Sequence, residues 1–534
     1  MFDITELDEL ICRRLSHDDL SRCVQVSKKW HSIVTPFLWN DLTWLEFVDR
    51  PQQHAFGRLV LEDYALEQHN ELALNGHGAS QDAQSLSSYS PSTLAKYGHW
   101  VRTLPDPFVI RQCFEFGDDQ SPTLYDLMRH FNKRCPSFQV PHLPLEDRDF
   151  ETDGYMDMIA ECVLPRTRCL AIKSPFSAWC LGTWRIKSLL RLCSGTLEGL
   201  TFDVSISHEG GYEMNHIQDE PESMPLLKRL NLTRCDGAPG TDAFWSWLWK
   251  RCGQMERLKL SEVEGITQSL MDSMVAYMPN LRRIDVDGYR MTDTAVAALI
   301  SGAQNGWKEV CMRQFEGTVT RTYAALMKHC PMLESLEFYS CVGFTSAERV
   351  QLLASCPNLH TFIDLDDNMF SIVSLDAQSF IDQDSDTGLL KAWESESTLR
   401  TFKIKVSGIP RPDLDMGTIE AHAGQGREIQ NQVYSRLARL AHLETLWLAR
   451  KDGFWESYDC LEMSLESGLH QLSGLKALKE LNVLCLKTRI AVPEVQWMIE
   501  QWPRLRVIRG LEGTGRTTEV GEWLRRHHPQ IQLL

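Results

Sequence analysis

The sequence lacks the features of membrane, secreted or disulfide-stabilised proteins. No stretch approaches the roughly 20 apolar residues that cross a bilayer, and the acidic opening MFDITELDEL has no positive segment followed by an apolar run. The 16 cysteines form no CxxC pair and are scattered over 534 residues, whereas disulfide frameworks belong to short secreted chains. We therefore expect reduced thiols, no membrane partner, and a location in the cytoplasm or the nucleus.

Positive charge is also scarce. Lys and Arg number 55 against 72 Asp and Glu, and the formal net charge is −17. Because phosphate binding needs a dominant basic field, we expect no nucleic-acid partner. Apolar residues make up 43% and charged residues 24% of the chain, which is typical of folded proteins. The length exceeds that of one simple domain unless the architecture repeats.

A repeated apolar frame, LxxLxL, is the strongest signal in the sequence. Its clearest copies begin at Leu227, Met255, Leu281, Trp307, Leu333 and Leu359. The first two of these residues are 28 positions apart, and each later pair is 26 positions apart. Weaker copies begin at Val101, Phe138, Thr167, Leu197, Leu399, Leu443, Leu478 and Leu505. The alternating apolar pair in each copy predicts a strand, and the helical spacing that follows it predicts a helix.

A strand and a helix in every repeat predict a solenoid over residues 94–534, with about 14 units. This arrangement resembles the leucine-rich repeat family, whose fold is α/β. Cysteines recur at fixed places of the frame, with Cys235 and Cys341 three residues after the second apolar residue of the strand. We interpret them as packing residues, because no metal-ligand spacing accompanies them.

Two stretches interrupt the frame, near residues 366–397 and 407–432, where the gaps widen to 40 and 44 residues. The first stretch is acidic: nine Asp and Glu lie from Asp364 to Glu396, against one lysine, Lys391. Insertions in repeats often carry recognition, but a solvated acidic loop is the commoner explanation. The sequence leaves both possibilities open.

Residues 1–45 follow a helical pattern instead. Apolar residues three to four apart form one stripe up to Leu15, and Ser16 is positioned to cap a second helix. Pro36 is expected to break the pattern before a last short helix. Three helices of this size bury too little to be stable alone, so they need a partner. Residues 46–93, rich in Ser, Gly, Gln and Asn in their second half, predict a polar linker.

The N-terminal pattern resembles the F-box, and with the repeats it resembles the F-box/leucine-rich repeat proteins of fungal type. The matching positions are Ile4, Leu7, Leu10, Ile11, Leu15, Asp19, Leu20, Val26, Ser27, Trp30, Leu38 and Trp39. The sequence departs from the family at Thr5, where Pro is usual, and at Ser27, where Cys is frequent.

The resemblance implies the substrate-recognition subunit of an SCF-type (Skp–cullin–F-box) ubiquitin ligase. The Skp adaptor, and through it the cullin, would bind Ile4, Leu7, Leu10, Ile11, Leu15, Leu20, Val26, Trp30, Leu38 and Trp39. The repeats would hold a protein target near the ubiquitin-conjugating enzyme, so this chain would act by proximity. The alternative is a non-ligase binding scaffold or inhibitor, in which the helices cap the solenoid.

Residues between the strand leucines project to the face opposite the core. The cations predicted on this face are Arg229, Arg257, Lys259, Arg283 and Arg313. Three of the arginines occupy the same place in consecutive repeats, where like charges about 4.8 Å apart destabilise each other without counter-ions. One hypothesis is that they bind an acidic or phosphorylated stretch of the target. The alternative is internal neutralisation by Asp285, Asp287 and nearby Glu residues.

No catalytic or metal-binding motif is evident. GxSxG and HExxH are absent, and the 17 histidines show no ligand spacing. The stretch GLEGTGRT (510–517) has the spacing of a phosphate-binding loop, but Arg516 stands in place of the required Lys. We expect a non-catalytic protein without a cofactor or a metal.

Overall fold

The structure is a computed structural model. It describes residues 11–46, 50–74, 93–104, 123–146, 155–173, 180–207, 223–235, 242–263, 268–365, 374–411, 420–448, 460–486, 490–511 and 515–534, apart from 13, 290, 385, 410 and 485, together with 109 and 113. The chain divides into two compact units, Met1–Gln254 and Met255–Leu534.

Helices and strands alternate along most of the chain. The helices are α1 (His17–Val26), α2 (Lys28–Asn40), α3 (Arg50–Leu74), α4 (Thr93–Tyr97), α5 (Leu124–Arg134), α6 (Tyr155–Met158), α7 (Thr183–Cys193), α8 (Asp242–Arg251), α9 (Gln268–Tyr277), α10 (Asp293–Ser301), α11 (Thr320–His329), α12 (Ser346–Ser355), α13 (Ala377–Phe380), α14 (Glu420–Ala438), α15 (Val492–Gln501) and α16 (Gly515–His527). The strands are β1 (Leu143–Glu146), β2 (Cys169–Lys173), β3 (Cys180–Gly182), β4 (Gly199–Asp203), β5 (Ser205–Ser207), β6 (Arg229–Thr233), β7 (Arg257–Ser261), β8 (Arg283–Asp287), β9 (Glu309–Arg313), β10 (Ser335–Tyr339), β11 (Thr361–Leu365), β12 (Leu375–Asp376), β13 (Thr401–Lys403), β14 (Val406–Ser407), β15 (Thr445–Trp447), β16 (Glu480–Asn482), β17 (Val507–Arg509) and β18 (Gln532–Leu533).

The strands of the repeats are parallel in both units. In the first unit β1, β2, β4 and β6 pair in that order. In the second unit β7 to β11, β13 and β15 to β18 pair in chain order. Short separate pairs form between β3 and β5 and between β12 and β14. The fold is thus the predicted α/β leucine-rich repeat solenoid, which follows the N-terminal helices.

The apolar frame locates the strands accurately. From Thr167 to Leu505, each residue that begins a copy lies two residues before the start of a strand. The copy at Val101 leads only to a single bridge at Thr103, and the copy at Phe138 leads to a bridge at Val140 and then to β1, which begins five residues after Phe138. Strand β18 was not anticipated. All fourteen of these first residues are buried. Burial of one such large side chain stabilises the fold by about 1.5–3 kcal/mol, which explains why the pattern persists.

Cysteines at the strand ends pack as predicted. Cys235 and Cys341 are fully buried, and their thiols donate weakly to the carbonyls of Phe202 (3.5 Å) and Met312 (3.2 Å) in preceding repeats. Burial raises the pKa of the Cys341 thiol to about 12, so it stays protonated and unreactive.

The first half of the segment 46–93 is not the linker that its sequence predicts. Residues 50–74 form α3, and residues 75–92 lie outside the described residues. The side chains of Phe56 and Val60 are buried, and Phe56 contacts Phe131 of α5 at a ring-centroid distance of 6.4 Å. The helix is therefore part of the first unit.

Charged residues fix α3 to α5 as well. The buried His130 ring lies between the carboxylates of Asp63 (2.6 Å) and Glu67 (2.7 Å), and Arg134 Nε reaches Asp63 at 2.9 Å. The linker prediction was wrong because it relied on composition. Polar residues that form ion pairs between two helices cannot be distinguished from linker residues by composition alone.

The acidic stretch before β13 is also folded where it is described, from residue 374 onward. The buried Arg436 guanidinium of α14 donates to Glu396 (3.0 Å) and to the Phe380 and Lys391 carbonyls, and it lies 4.6 Å from the Trp393 ring. Several acids therefore serve internal contacts, as Asp376 and Glu396 do, whereas residues 386–389 are exposed, as expected of a solvated loop.

Within the described residues, no helix is long and apolar enough to cross a membrane.

Candidate protein-interaction surfaces

Serine caps begin both N-terminal helices. Ser16 Oγ accepts the Asp19 amide (3.2 Å) at the start of α1, as the sequence predicts. Ser27 Oγ accepts the Trp30 amide (3.2 Å) at the start of α2. Each cap satisfies an amide that a helix end otherwise leaves without a partner.

The two helices enclose a small core of their own. Around the buried Cys12, Leu20 and Val34 pack Leu15, Cys23, Val24, Trp30, Ile33, Phe37 and Leu38. Contrary to expectation, α2 continues through Pro36 instead of ending there. Apolar residues on both sides of Pro36 pack into one core, and this packing offsets the missing amide hydrogen bond.

The predicted adaptor-binding residues fall into three groups. Ile4, Leu7 and Leu10 lie outside the described residues. Leu20 is buried, whereas Leu15, Trp30, Leu38 and Trp39 are partly buried. Ile11 and Val26 are exposed, at 40% and 71%. Leu20 therefore supports the helices, and Ile11 and Val26 are available to a partner.

The end of α2 joins the repeats directly by backbone hydrogen bonds. The Asn40 carbonyl accepts the amides of Arg102 (2.9 Å) and Thr103 (3.1 Å), and the Leu42 amide donates to the Thr103 carbonyl (3.0 Å). The Trp39 ring lies 5.7 Å from that of Tyr97. The backbone hydrogen bonds between successive repeats of the first unit thus start at the residues that end α2. The sequence had predicted instead that a linker separates the N-terminal helices from the repeats.

Two rows of side chains project from the sheet face opposite the core in the second unit. In nine consecutive repeats, the fourth residue after the start of the frame forms one row. This row reads Lys259, Asp285, Cys311, Glu337, Ile363, Lys403, Trp447, Asn482 and Arg509, in the register of the strands. The parallel row two residues earlier begins with Arg257, Arg283 and Glu309.

Ion pairs dominate the face from β7 to β10, which we name the paired-charge region (Arg257, Lys259, Arg283, Asp285, Glu309, Arg313 and Glu337). Arg283 Nη2 lies 2.7 Å from Glu309 Oε1, and Arg313 Nε donates to Asp285 Oδ1 at 3.1 Å. Lys259 Nζ reaches the other oxygen of Asp285 at 3.9 Å. Three of the five predicted target-binding cations are therefore neutralised internally.

The two remaining predicted cations are Arg229 and Arg257, and both are exposed. In the first unit, Arg229 Nη2 lies 3.1 Å from Cys169 Sγ. In the second unit, Arg257 is in register with Arg283, and it has no ion pair within the part of the chain that the structure describes. Glu309 thus neutralises Arg283 and reduces the predicted repulsion between Arg283 and its neighbour Arg257.

Aromatic and sulfur groups complete the paired-charge region. The Arg313 guanidinium lies 4.4 Å from the Tyr339 ring centroid, and the Tyr339 hydroxyl donates to Glu337 (3.0 Å). Burial and the Glu337 charge raise the pKa of Tyr339. Burial and Asp285 likewise raise the pKa of Cys311. Both groups therefore stay protonated near neutral pH and have no acid–base role there.

A second group of outward residues was missed from the sequence, and we name it the Trp447 patch (Lys403, Trp447, Glu480 and Arg509). Lys403 Nζ lies 3.9 Å from the Trp447 ring centroid, and the Arg509 guanidinium lies 5.8 Å from it. Glu480 Oε1 accepts Arg509 Nε (2.8 Å) and Trp447 Nε1 (3.2 Å).

The sequence did contain a signal for this patch. Lys403, Trp447 and Arg509 are the fourth residues after Leu399, Leu443 and Leu505. These three residues belong to the less regular copies of the frame. Counting from the weaker copies of the frame would have found all three residues.

Residues 5–43 match the F-box-like family model, and no curated protein sequence matches the chain. Among solved structures, the chain is similar to "Crystal structure of Rad7 and Elc1 complex in yeast" at 14% identity and a TM-score of 0.35, covering 77% of each chain. It is similar to a structure of the TLR13–ssRNA13 complex at 12% identity and a TM-score of 0.30, covering 70% of this chain and 55% of that one. It is also similar to the leucine-rich repeat-containing protein LegL7 from Legionella pneumophila at 10% identity and a TM-score of 0.29, covering 73% of this chain and 93% of that one. These structural likenesses are too low to indicate function. The chain therefore combines an F-box-like domain with leucine-rich repeats.

Proposed function

We propose that this protein is the substrate-recognition subunit of an SCF-type ubiquitin ligase, as the resemblance to the fungal-type family implies. In this function the F-box-like helices bind the Skp adaptor and, through it, the cullin. The repeats hold a protein target by their outward sheet face. The chain itself performs no bond-making step, and its contribution is to hold the target near the conjugating enzyme, in the cytoplasm or the nucleus.

The F-box-like match over residues 5–43 carries this proposal. The exposed Ile11 and Val26 support it, because apolar side chains at 40% and 71% exposure beside an apolar core suit a protein partner. The hydrogen bonds from Asn40 and Leu42 to the first repeats also suit the role. A target bound in the first unit would be held in a fixed orientation to the adaptor-binding helices.

A second candidate function is a binding scaffold that works outside any ligase. The same Asn40 and Leu42 hydrogen bonds favour it, since arrays of repeats need capped ends and the helices could serve as that cap. The two candidates differ in whether the exposed apolar residues bind a Skp adaptor.

Co-purification of the full chain with a recombinant Skp adaptor tests the proposal. We expect the double variant Ile11→Asp/Val26→Asp to lose at least about tenfold in adaptor affinity, because charged groups would replace buried apolar contacts at the interface. Both side chains are exposed in the free protein, so its fold should be retained by circular dichroism. Leu389→Asp is a matched control, because this leucine is 70% exposed in the second unit.

The proposal fails if the folded wild-type chain does not retain the adaptor. If the double variant and Leu389→Asp retain the adaptor equally well, Ile11 and Val26 do not bind the adaptor, and that part of the proposal is wrong. In the first case the protein is a free-standing binding scaffold.

A further inference from the structure

The lysine of the Trp447 patch has different surroundings from Lys259 of the paired-charge region, because Lys259 reaches a carboxylate whereas Lys403 lies over an indole ring. Glu480 is the one carboxylate among the four residues of the patch, and it is occupied by Arg509 and by the indole N–H. Lys403 has no ion pair within the described residues, although it is only partly exposed. A partly buried cation that has no ion-pair partner is unfavourable, so the patch suits an incoming negative group.

The indole ring gives the patch its apolar part. The N–H of Trp447 is already satisfied, so any exposed part of the ring offers carbon atoms only. Thr361, Thr401 and Thr445 lie in register in the neighbouring row, and all three are partly exposed. Tryptophan and arginine, two of the residue types in this patch, are enriched among the residues that contribute most to protein–protein binding.

We propose that the Trp447 patch binds an acidic peptide segment of the target, in which an Asp or Glu carboxylate pairs with Lys403 and an adjacent apolar side chain packs on Trp447. This inference rests on the proposed function in one respect only, namely that the bound segment belongs to a ligase target.

Charge complementarity favours a carboxylate over a phosphate. Phosphate is best bound by the fork of a guanidinium, but Arg509 Nε already donates to Glu480. Lys403 offers one compact ammonium group, and the Glu480 charge beside it repels a doubly charged group more than a single carboxylate. Burial lowers the pKa of Lys403, and Glu480 and Glu337 oppose that shift only in part. The ammonium is thus stabilised by its neighbours less than a paired lysine would be.

Selection from a random peptide library displayed on phage tests the inference on the purified full-length chain. We expect the selected peptides to be enriched in Asp or Glu next to an apolar residue. A labelled copy of a selected peptide should bind Lys403→Glu and Trp447→Ala at least about tenfold more weakly than wild type in fluorescence anisotropy. Lys328→Glu, the same charge reversal on the exposed surface of α11, should bind like wild type.

Two synthetic forms of the selected peptide identify the source of the negative charge. The form with Asn and Gln in place of Asp and Glu should lose binding, and the form with phosphoserine at those positions should bind no better than the parent. Tighter binding of the phosphoserine form would overturn the choice of a carboxylate.

The inference is also overturned by selection of peptides without an acidic excess, by equal binding to Lys403→Glu and Lys328→Glu, or by recovery of no peptide above the level of Lys403→Glu. None of these outcomes depends on the Skp adaptor. Failure of this inference and failure of the ligase function are therefore separately visible.

Discussion

The paired-charge region and the Trp447 patch lie on the same sheet face of the second unit, yet their side chains behave differently. Along β7 to β10, carboxylates face most of the cations, as Arg283 with Glu309 and Arg313 with Asp285 illustrate. Along β13 to β17, Lys403 lies over an indole ring and has no ion pair among the described residues. Repetition of the backbone therefore does not repeat the chemistry, which depends on each outward residue and its cross-strand neighbour.

This difference changes which arginines and lysines are candidates for target binding. A cation that already has a carboxylate partner must give up that partner, or share it, before it binds another anion. Lys259, Arg283 and Arg313 are in this position, whereas Lys403 is not. The predicted binding role of Arg229 and Arg257 stays a prediction.

Removal of one shared carboxylate should have the largest effect on the difference between the paired-charge region and the Trp447 patch. Asp285→Asn takes away the partner of Arg313 and Lys259, and we expect the free energy of unfolding to fall by about 1–2 kcal/mol because a charged hydrogen bond is lost. The same change should give the paired-charge region measurable affinity for the acidic peptides selected above. Urea denaturation and fluorescence anisotropy measure the two effects.

Glu316→Gln is the control for that experiment, because Glu316 is exposed and has no ion pair within the described part of the chain. Unchanged stability of Asp285→Asn would mean that the ion pairs on this face are only surface contacts of little energy.

Addition of a carboxylate should make the Trp447 patch resemble the paired-charge region. Thr401 lies two residues before Lys403 on the same face of β13, so Thr401→Glu brings an internal carboxylate near the ammonium. We expect about threefold to tenfold weaker binding of an acidic peptide, since the new carboxylate competes with it. Thr401→Gln has the same size without the charge and should bind like wild type; equal weakening by both would indicate steric exclusion instead.

A smaller effect should follow from pH. Because burial lowers the pKa of Lys403, its charge is lost at a lower pH than that of an ordinary lysine, while the peptide carboxylate stays ionised. We expect peptide affinity to decline as the pH is raised from neutral toward the ordinary lysine pKa of about 10.4, and the decline should begin below that value. In Lys403→Arg the charge persists at all these pH values, so a titration of that variant should be flat; a decline of equal size in both proteins would show that another group is responsible.

The sequence by itself determined the repeats and most of their positions. A large apolar residue must occupy the same core place in every repeat, as Leu227 and Trp307 do, so the pattern is visible without any contact information. The serine cap at Ser16 was equally predictable, because its hydrogen bond joins residues three apart. Periodic apolar residues and hydrogen bonds between near neighbours can therefore be recognised from the sequence alone.

Only the tertiary structure decided which polar residues pair with each other. The contacts of Asp63 with His130, of Arg436 with Glu396 and of Lys403 with Trp447 each join residues that are 40 or more positions apart. Each partner alone has the appearance of a linker, loop or surface residue. For this reason α3 was predicted wrongly, and the contact of Arg436 with Glu396 and the Trp447 patch were not predicted. Polar groups at such separations come into contact only after the helices and repeats pack together. Their pairing therefore cannot be derived from the spacing of residues along the sequence.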